Sequence, residues 1–162
     1  MTVRPIRMLG DAVLRTPCDP VTSFDAELRA LVRDLVDTVA EPGRAGLAAP
    51  QIGVTARVFS YNVEGQIGYL VNPVIVARDG EQDGEEGCLS IPGLYFPTPR
   101  AMRATAEGFD VRGAPVTVEG SGFLARALQH ETDHLDGVLY VDTLTGDARR
   151  QALRAIRAAF PR

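Results

Sequence analysis

Apolar positions in this chain recur with two different periods, and the switch between them divides it into elements. Leu28, Leu31, Val32, Leu35, Val36 and Val39 fall three or four residues apart, the spacing that lines one face of an α-helix. Asp25 or Ser23 can cap its start, and Pro42-Gly43 marks its end. Beyond it, "RVFSYNV" (57–63) and "YLVNPVIVA" (69–77) read as strands separated by the glycine-containing turn "EGQIG". "DGEQDGEEG" (79–87) is polar and Gly-rich, and reads as a loop or the fringe of a hairpin. Met102, Ala104, Ala106, Phe109 and Val111 predict a strand broken at Gly108, and "VRGAPVTVEG" predicts a hairpin turn and a further strand. Helical spacing returns from about Phe123 to Leu135, with Gly137 as a stop signal, and again from about Asp147 to Phe160. The opening stretch, punctuated by Pro5, Pro17 and Pro20, is irregular.

Strands between helices without βα alternation predict an α+β fold. It has mainly antiparallel sheets around a central helix bearing both histidines, with one helix N-terminal and one C-terminal to it. There is no repeat or linker, and 162 residues suit a single domain, 1–162. The N-terminal "MTVRPIRMLGD" is basic but is not followed by the apolar run of a signal peptide. "GYLVNPVIVA" is too short to span a bilayer. A cytoplasmic protein without a membrane partner is expected. Two cysteines, Cys18 and Cys88, make no disulfide framework, so each is a packed thiol, a nucleophile or a ligand. A net charge of −4 argues against DNA as a partner. The charge is uneven, however. From residue 147 onward, five arginines (149, 150, 154, 157 and 162) oppose one aspartate, a local +4 that leaves −8 on the rest.

Both histidines lie in "LARALQHETDHLDGVLY" (124–140). One helical turn apart, His130 and His134 can direct their imidazoles at one ion, while Glu131 reaches a water bound to it. The alternative is the polar face of an ordinary helix. Ala125, Ala127, Leu128 and Leu135 surround the motif, so the helix reads as interior, where buried polar groups need a partner such as a divalent cation. Asp133 is either an acceptor behind the ligands or a solvated carboxylate. A catalytic metal site takes three protein ligands, and the chain has no third histidine, so a Cys, Asp or Glu must serve. Cys88, in "EEGCLSIPG", is the candidate, at a place where a strand edge can present it. Taken alone it also reads as a packed thiol, the reading kept for Cys18.

"EGCLS" (86–90) and "QHETDHLDG" (129–137) resemble the second and third signature motifs of the peptide deformylases, and "GLAAPQIG" (46–53) the first, in the same order and spacing. "RMLGDAVLRTPCDPV" is similar to the start of that family, so the resemblance covers essentially the whole chain. Arg44 stands where the family usually has glycine, which bears on the pocket rim but removes no catalytic group. The resemblance implies removal of the N-formyl group from the N-terminal methionine of nascent bacterial polypeptides, with release of formate. It makes Cys88, His130 and His134 the metal ligands and Glu131 the general base. The Gln51 side-chain amide and the Leu89 backbone N–H become oxyanion donors. Gly46 would hydrogen-bond the substrate main chain. Glu86, Phe123 and Ala127 would form the methionine pocket, with Arg100 paired to Glu86.

Each of these residues has a plainer alternative: a loop-capping amide for Gln51, strand packing for "AGLAAPQIG", a rim salt bridge for Glu86–Arg100. Tetrahedral S/N/N ligation suits Zn2+ by geometry. The resemblance implies Fe2+ instead, with Ni2+ or Co2+ as active substitutes, and the donor set does not discriminate among them.

In the last helix, Leu153, Ile156 and Phe160 form an apolar stripe beside Arg150, Arg154 and Arg157. These arginines are either solvated on a packed terminal helix or, as in some deformylases, placed to contact ribosomal RNA. Two rival readings explain less. A zincin-type peptidase shares HExxH but usually takes His or Glu as third ligand, leaving "EGCLS" and Gln51 unexplained. A non-catalytic relative would be expected to have lost a ligand or Glu131.

Overall fold

The computed structural model describes residues 2–161. Helix α1 (Ala26–Val39) precedes strands β1 (Gly46–Ala48), β2 (Val58–Val63), β3 (Gln66–Asp79), β4 (Gln82–Cys88), β5 (Ile91–Arg100), β6 (Arg103–Phe109) and β7 (Pro115–Ser121). Helices α2 (Phe123–Leu135) and α3 (Gly146–Ala159) follow. Every strand pair is antiparallel: β1-β2-β3-β6-β7 make one sheet, and β4 and β5 form a separate hairpin inserted between β3 and β6. The expected α+β arrangement, with α2 at its centre, is the one found.

The Asp25 carboxylate accepts the Leu28 N–H at 3.0 Å, occupying an otherwise unpaired donor at the start of α1. Leu28, Val32, Leu35 and Val39 are buried against Leu47, Val58 and Val71 of the sheet. The chain leaves the helix at Ala40, before Pro42. Helix α2 is buried on nearly all sides. Leu128 and Leu135 join Phe59, Leu70 and Ala106 in the core between helix and sheet, while its polar residues Arg126, Gln129, His130 and Glu131 are buried as well. Helix α3 closes the far side of the hairpin, where Ala152, Ile156 and Phe160 pack on a cluster containing Cys88, Ile91 and Tyr140. Arg150, Arg154 and Arg157 are exposed; Arg162 of the basic tail lies outside the described residues. Among the described residues, no helix is long and apolar enough to cross a membrane.

Three sequence expectations are corrected. For the polar segment 79–87 the loop reading gives way to the hairpin one, most of it being strand: β4 pairs with β5 from Gln82↔Arg100 to Gly87↔Tyr95. A ribbon held by backbone hydrogen bonds, with one face toward water, does not require apolar alternation. Its partner β5 contains Pro92, Pro97 and Pro99 and has β4 as its one neighbour, an edge position where a missing N–H costs no ladder bond. Gly108 does not break its strand, pairing with Val116 in an uninterrupted register. A Cβ there would lie 2.7 Å from the Val71 carbonyl oxygen, so the glycine allows β6 to approach β3 closely. Val111 lies beyond the end of β6.

Because Leu128 is fully buried, Leu128→Ala should lower unfolding free energy by about 2–5 kcal/mol, and Asp25→Ala by about 1 kcal/mol. Urea titration followed by circular dichroism measures both.

Candidate metal centre

The helical repeat of α2 places His130 and His134 on one face, toward the hairpin. At the end of β4, a register shift between Gly87 and Cys88 accompanies the placement of the Cys88 thiol opposite them. Cys88 Sγ lies 3.4 Å from His134 Nε2, which lies 3.2 Å from His130 Nε2. The three donor atoms are all within 4.8 Å of one another, and all three residues are buried.

Behind this cluster sits Glu86. Its Oε2 is 2.6 Å from His130 Nδ1, so Nδ1 donates its proton to Glu86 and Nε2 is the nitrogen turned toward Cys88 and His134. Arg100 holds the same carboxylate with two bonds, Nε to Oε1 at 3.0 Å and Nη2 to Oε2 at 2.7 Å. Burial pushes the Glu86 carboxyl up, but the hydrogen bonds from His130 and Arg100 outweigh it and hold the pKa at about 2. Glu86 is therefore an anion at neutral pH. Arg100 also donates to Asp133 Oδ2 at 2.7 Å, which makes Asp133 an acceptor behind the ligands.

Glu131 is almost fully buried, and burial raises its pKa to about 7. Its Oε2 lies 3.9 Å from His130 Nε2, and its Oε1 has no hydrogen-bond partner among the described residues. Gly46 of β1 lies against it: a Cβ at that position would overlap Glu131 Oε2 and stand 2.8 Å from Cδ.

This donor set fits a divalent cation. A thiol and two imidazole lone pairs converge, the proton of one imidazole is already committed to a carboxylate, and an unpartnered carboxylate oxygen sits beside them. Burial opposes charge on His130, yet Glu131, Cys88 and Glu86 together raise its pKa above the ordinary value. The same anionic surroundings favour a bound cation. Burial and the adjacent His130 push His134 the other way.

A profile described as Polypeptide deformylase matches residues 3–150. The chain belongs to that family. It is similar to a peptide deformylase of Acidothermus cellulolyticus, 58% identical over 159 residues that cover 98% of this chain and 88% of the relative. It is also similar to a peptide deformylase 2 of Streptomyces coelicolor, 48% identical over 97% of this chain and 91% of that one. A crystal structure of the peptide deformylase from Thermus thermophilus superposes with a TM-score of 0.90 at 43% identity, covering 96% of this chain and 94% of that one. The chain is thus a hydrolase of the N-formyl amide, acting on nascent formylated peptides in protein biosynthesis, and the family's metal dependence agrees with the Cys-His-His cluster.

The remaining residues expected at the deformylase site gather around the same cluster. The Gln51 amide serves two purposes: Oε1 accepts the Ala48 N–H at 2.9 Å, capping its own loop, while Nε2 lies 3.7 Å from Cys88 Sγ and donates to Ser90 Oγ at 3.1 Å. A cavity of about 330 Å³ opens beside the cluster, and Gly46, Glu86, Leu89, Phe123 and Ala127 all line it. Phe123, half exposed, stands at its mouth. Glu86–Arg100 is not a rim salt bridge, because the two side chains are 3% and 7% exposed. Arg44 turns away from the cavity and donates to the Thr38 carbonyl at 2.8 Å. Cys18 is a buried thiol pushed up to about 11 by burial, in keeping with packing.

Three site residues were not foreseen. Arg126 donates to Glu86 Oε1 at 2.7 Å, the Tyr140 ring stacks on His130 at 5.8 Å, and Ser90 accepts from Gln51. For Arg126 a signal existed, since it precedes His130 by one helical turn and so shares its face.

Gly46→Ala should push the Glu131 carboxylate aside and slow formate release by about 10²-fold, the scale of an ångström-sized misplacement. An enzymatic formate assay on protein shown to be folded by circular dichroism measures this, and wild-type turnover would mean the carboxylate tolerates the move.

Proposed function

We propose that residues 1–162 form a single catalytic domain in which Cys88, His130 and His134 hold a ferrous ion and Glu131 is the general base for removal of the formyl group from N-terminal formyl-methionine. The convergence of three ligand atoms beside a buried, unpartnered carboxylate carries this reading. A divalent ion bound there lowers the pKa of water to about 7 and so provides a nucleophile near neutrality.

The protein's own groups do the rest. Glu131 takes the proton of the attacking water and delivers it to the departing amine. A carboxyl raised to about 7 is suited to both tasks at neutral pH. Attack on the formyl carbon places negative charge on its oxygen, which the Gln51 amide and the Leu89 backbone N–H stabilise. In support, the Leu89 N–H meets no backbone acceptor among the described residues. Gly46 offers its backbone to the substrate main chain. The methionine side chain enters the cavity lined by Glu86, Phe123 and Ala127, with Arg100 fixing Glu86. Confined space beside the cluster excludes the added methyl of an acetyl group.

Ferrous iron is the ion that family membership favours. Zinc, nickel and cobalt suit the same thiolate and imidazoles. The substrates are nascent N-formylmethionyl peptides, which places the enzyme in the cytoplasm with neither DNA nor a membrane as partner. The exposed Arg150, Arg154 and Arg157 of α3 form a basic face suited to ribosomal RNA.

Wild-type protein should release formate from formyl-Met-Ala-Ser, leave acetyl-Met-Ala-Ser intact, and lose turnover on Glu131→Ala. Fully metallated wild type that releases no formate would sink the reading. Gln51→Ala should retain the fold and lose about 10²–10³-fold in kcat. If iron is the native ion, anaerobically purified protein should contain it and lose activity in air, whereas the nickel form should persist. Equal stability of the two forms in air counts against iron.

A further inference from the structure

Arg126 lines the cavity yet is buried, and its guanidinium faces away from the ligand cluster onto Glu86. Glu86 receives four hydrogen bonds. Oε1 takes Arg100 Nε at 3.0 Å and Arg126 Nη1 at 2.7 Å. Oε2 takes Arg100 Nη2 at 2.7 Å and His130 Nδ1 at 2.6 Å. A carboxylate offers about four lone-pair positions, so every one is occupied, and Arg126 fills the place on the oxygen that His130 does not touch.

Arg126 is itself anchored to the hairpin. The same Nη1 donates to the Thr98 carbonyl of β5 at 2.8 Å, and Nη2 lies 3.4 Å from Gln82 Oε1 of β4. Its charge is needed too. Arg100 is divided between two carboxylates, Glu86 and Asp133, and one guanidinium cannot neutralise both. Arg126 supplies the second positive charge. It also stands four residues before His130 on α2, so Glu86 bridges two adjacent positions of one helical face from the opposite layer.

We propose that Arg126 is a positioning residue for His130: by clamping the outer oxygen of Glu86 to the hairpin, it fixes the carboxylate plane, and with it the orientation of the imidazole. This deepens the metal-site reading and rests on Cys88, His130 and His134 being the ligands. Partners behind a ligating histidine typically contribute 10–100-fold to metal affinity, and the Arg126 clamp belongs to that group.

The test loads wild type, Arg126→Met and Arg126→Lys with cobalt(II). It reads affinity by competition with a chelator, visible absorption of the bound ion, thermal stability, and kcat and KM for formyl-Met-Ala-Ser. Arg126→Met keeps the apolar stem and removes the fork. It should bind cobalt about 10-fold or more weakly, shift the absorption bands, and lose more in kcat than in KM. Arg126→Lys, which restores the charge with a single donor group, should recover part of the affinity. Wild-type cobalt affinity and spectrum in Arg126→Met, with a change confined to thermal stability, would overturn the proposal. Should Arg126→Met fail to fold, Arg126→Lys decides: weaker cobalt binding supports the proposal and unchanged binding overturns it. Wild-type protein that shows no cobalt–thiolate absorption would instead bring down the ligand assignment, and this proposal with it.

Discussion

A carboxylate shut away from water, that of Glu86, is the constraint on which the rest of the site depends. It stands on β4, is gripped by Arg100 from β5 and Arg126 from α2, and in turn grips His130. Burying an ion is costly, and its attraction to a partner repays that only when the remaining hydrogen-bond positions are filled. Here they are. Such a cluster is poor value as a source of stability, since apolar residues of similar size often do as well. What apolar packing cannot do is set which imidazole nitrogen carries the proton. The Glu86–His130 bond does that, and it leaves the other nitrogen free to ligate.

Helix α2 carries a carboxylate in the opposite arrangement. Glu86 has every position filled, whereas Glu131, facing it from α2, has an oxygen without a donor among the described residues. An unsatisfied buried polar atom costs about 1–3 kcal/mol, and natural folds keep few of them. In the proposed mechanism, this one lies where a proton has to be received and passed on. The saturated carboxylate holds His130 still, and the unsaturated one stays chemically available. Gly46 makes the second possible by leaving room for it.

Much of this could be read in the sequence, for definable reasons. Helical spacing gave α2 its bounds and brought His130, Glu131 and His134 together, because side-chain direction on a helix follows from residue number alone. Cys88 came from the need for a third ligand in a chain with two histidines, and Gln51 and Leu89 from segments that resemble known motifs, none of them from any periodicity. The β4–β5 hairpin was only half legible, as one of two readings of 79–87, because backbone bonding is indifferent to side chains, and "IPGLYFPTPR" carries three prolines that argue against a central strand. Arg126 was hidden because an arginine on a helix is normally solvated. Its burial depends on a carboxylate brought from another layer, which no local pattern records. Gln51 resisted a single reading because its two ends do different things, one capping a loop and the other approaching the thiol.

The placement of the proposed ligands also bears on how the protein becomes active. Two of them are joined by one turn of helix, but Cys88 is separated from His134 by 46 positions, and Gln51 from Cys88 by 37. Contacts of that separation form only after intervening chain has been closed into loops at an entropic cost. A partly folded chain therefore holds a histidine pair and no more, too few ligands for a stable catalytic site. On the proposed ligand set, ion capture is a late event that ties the hairpin to the central helix, because the ion's third ligand arrives only when those two layers have docked.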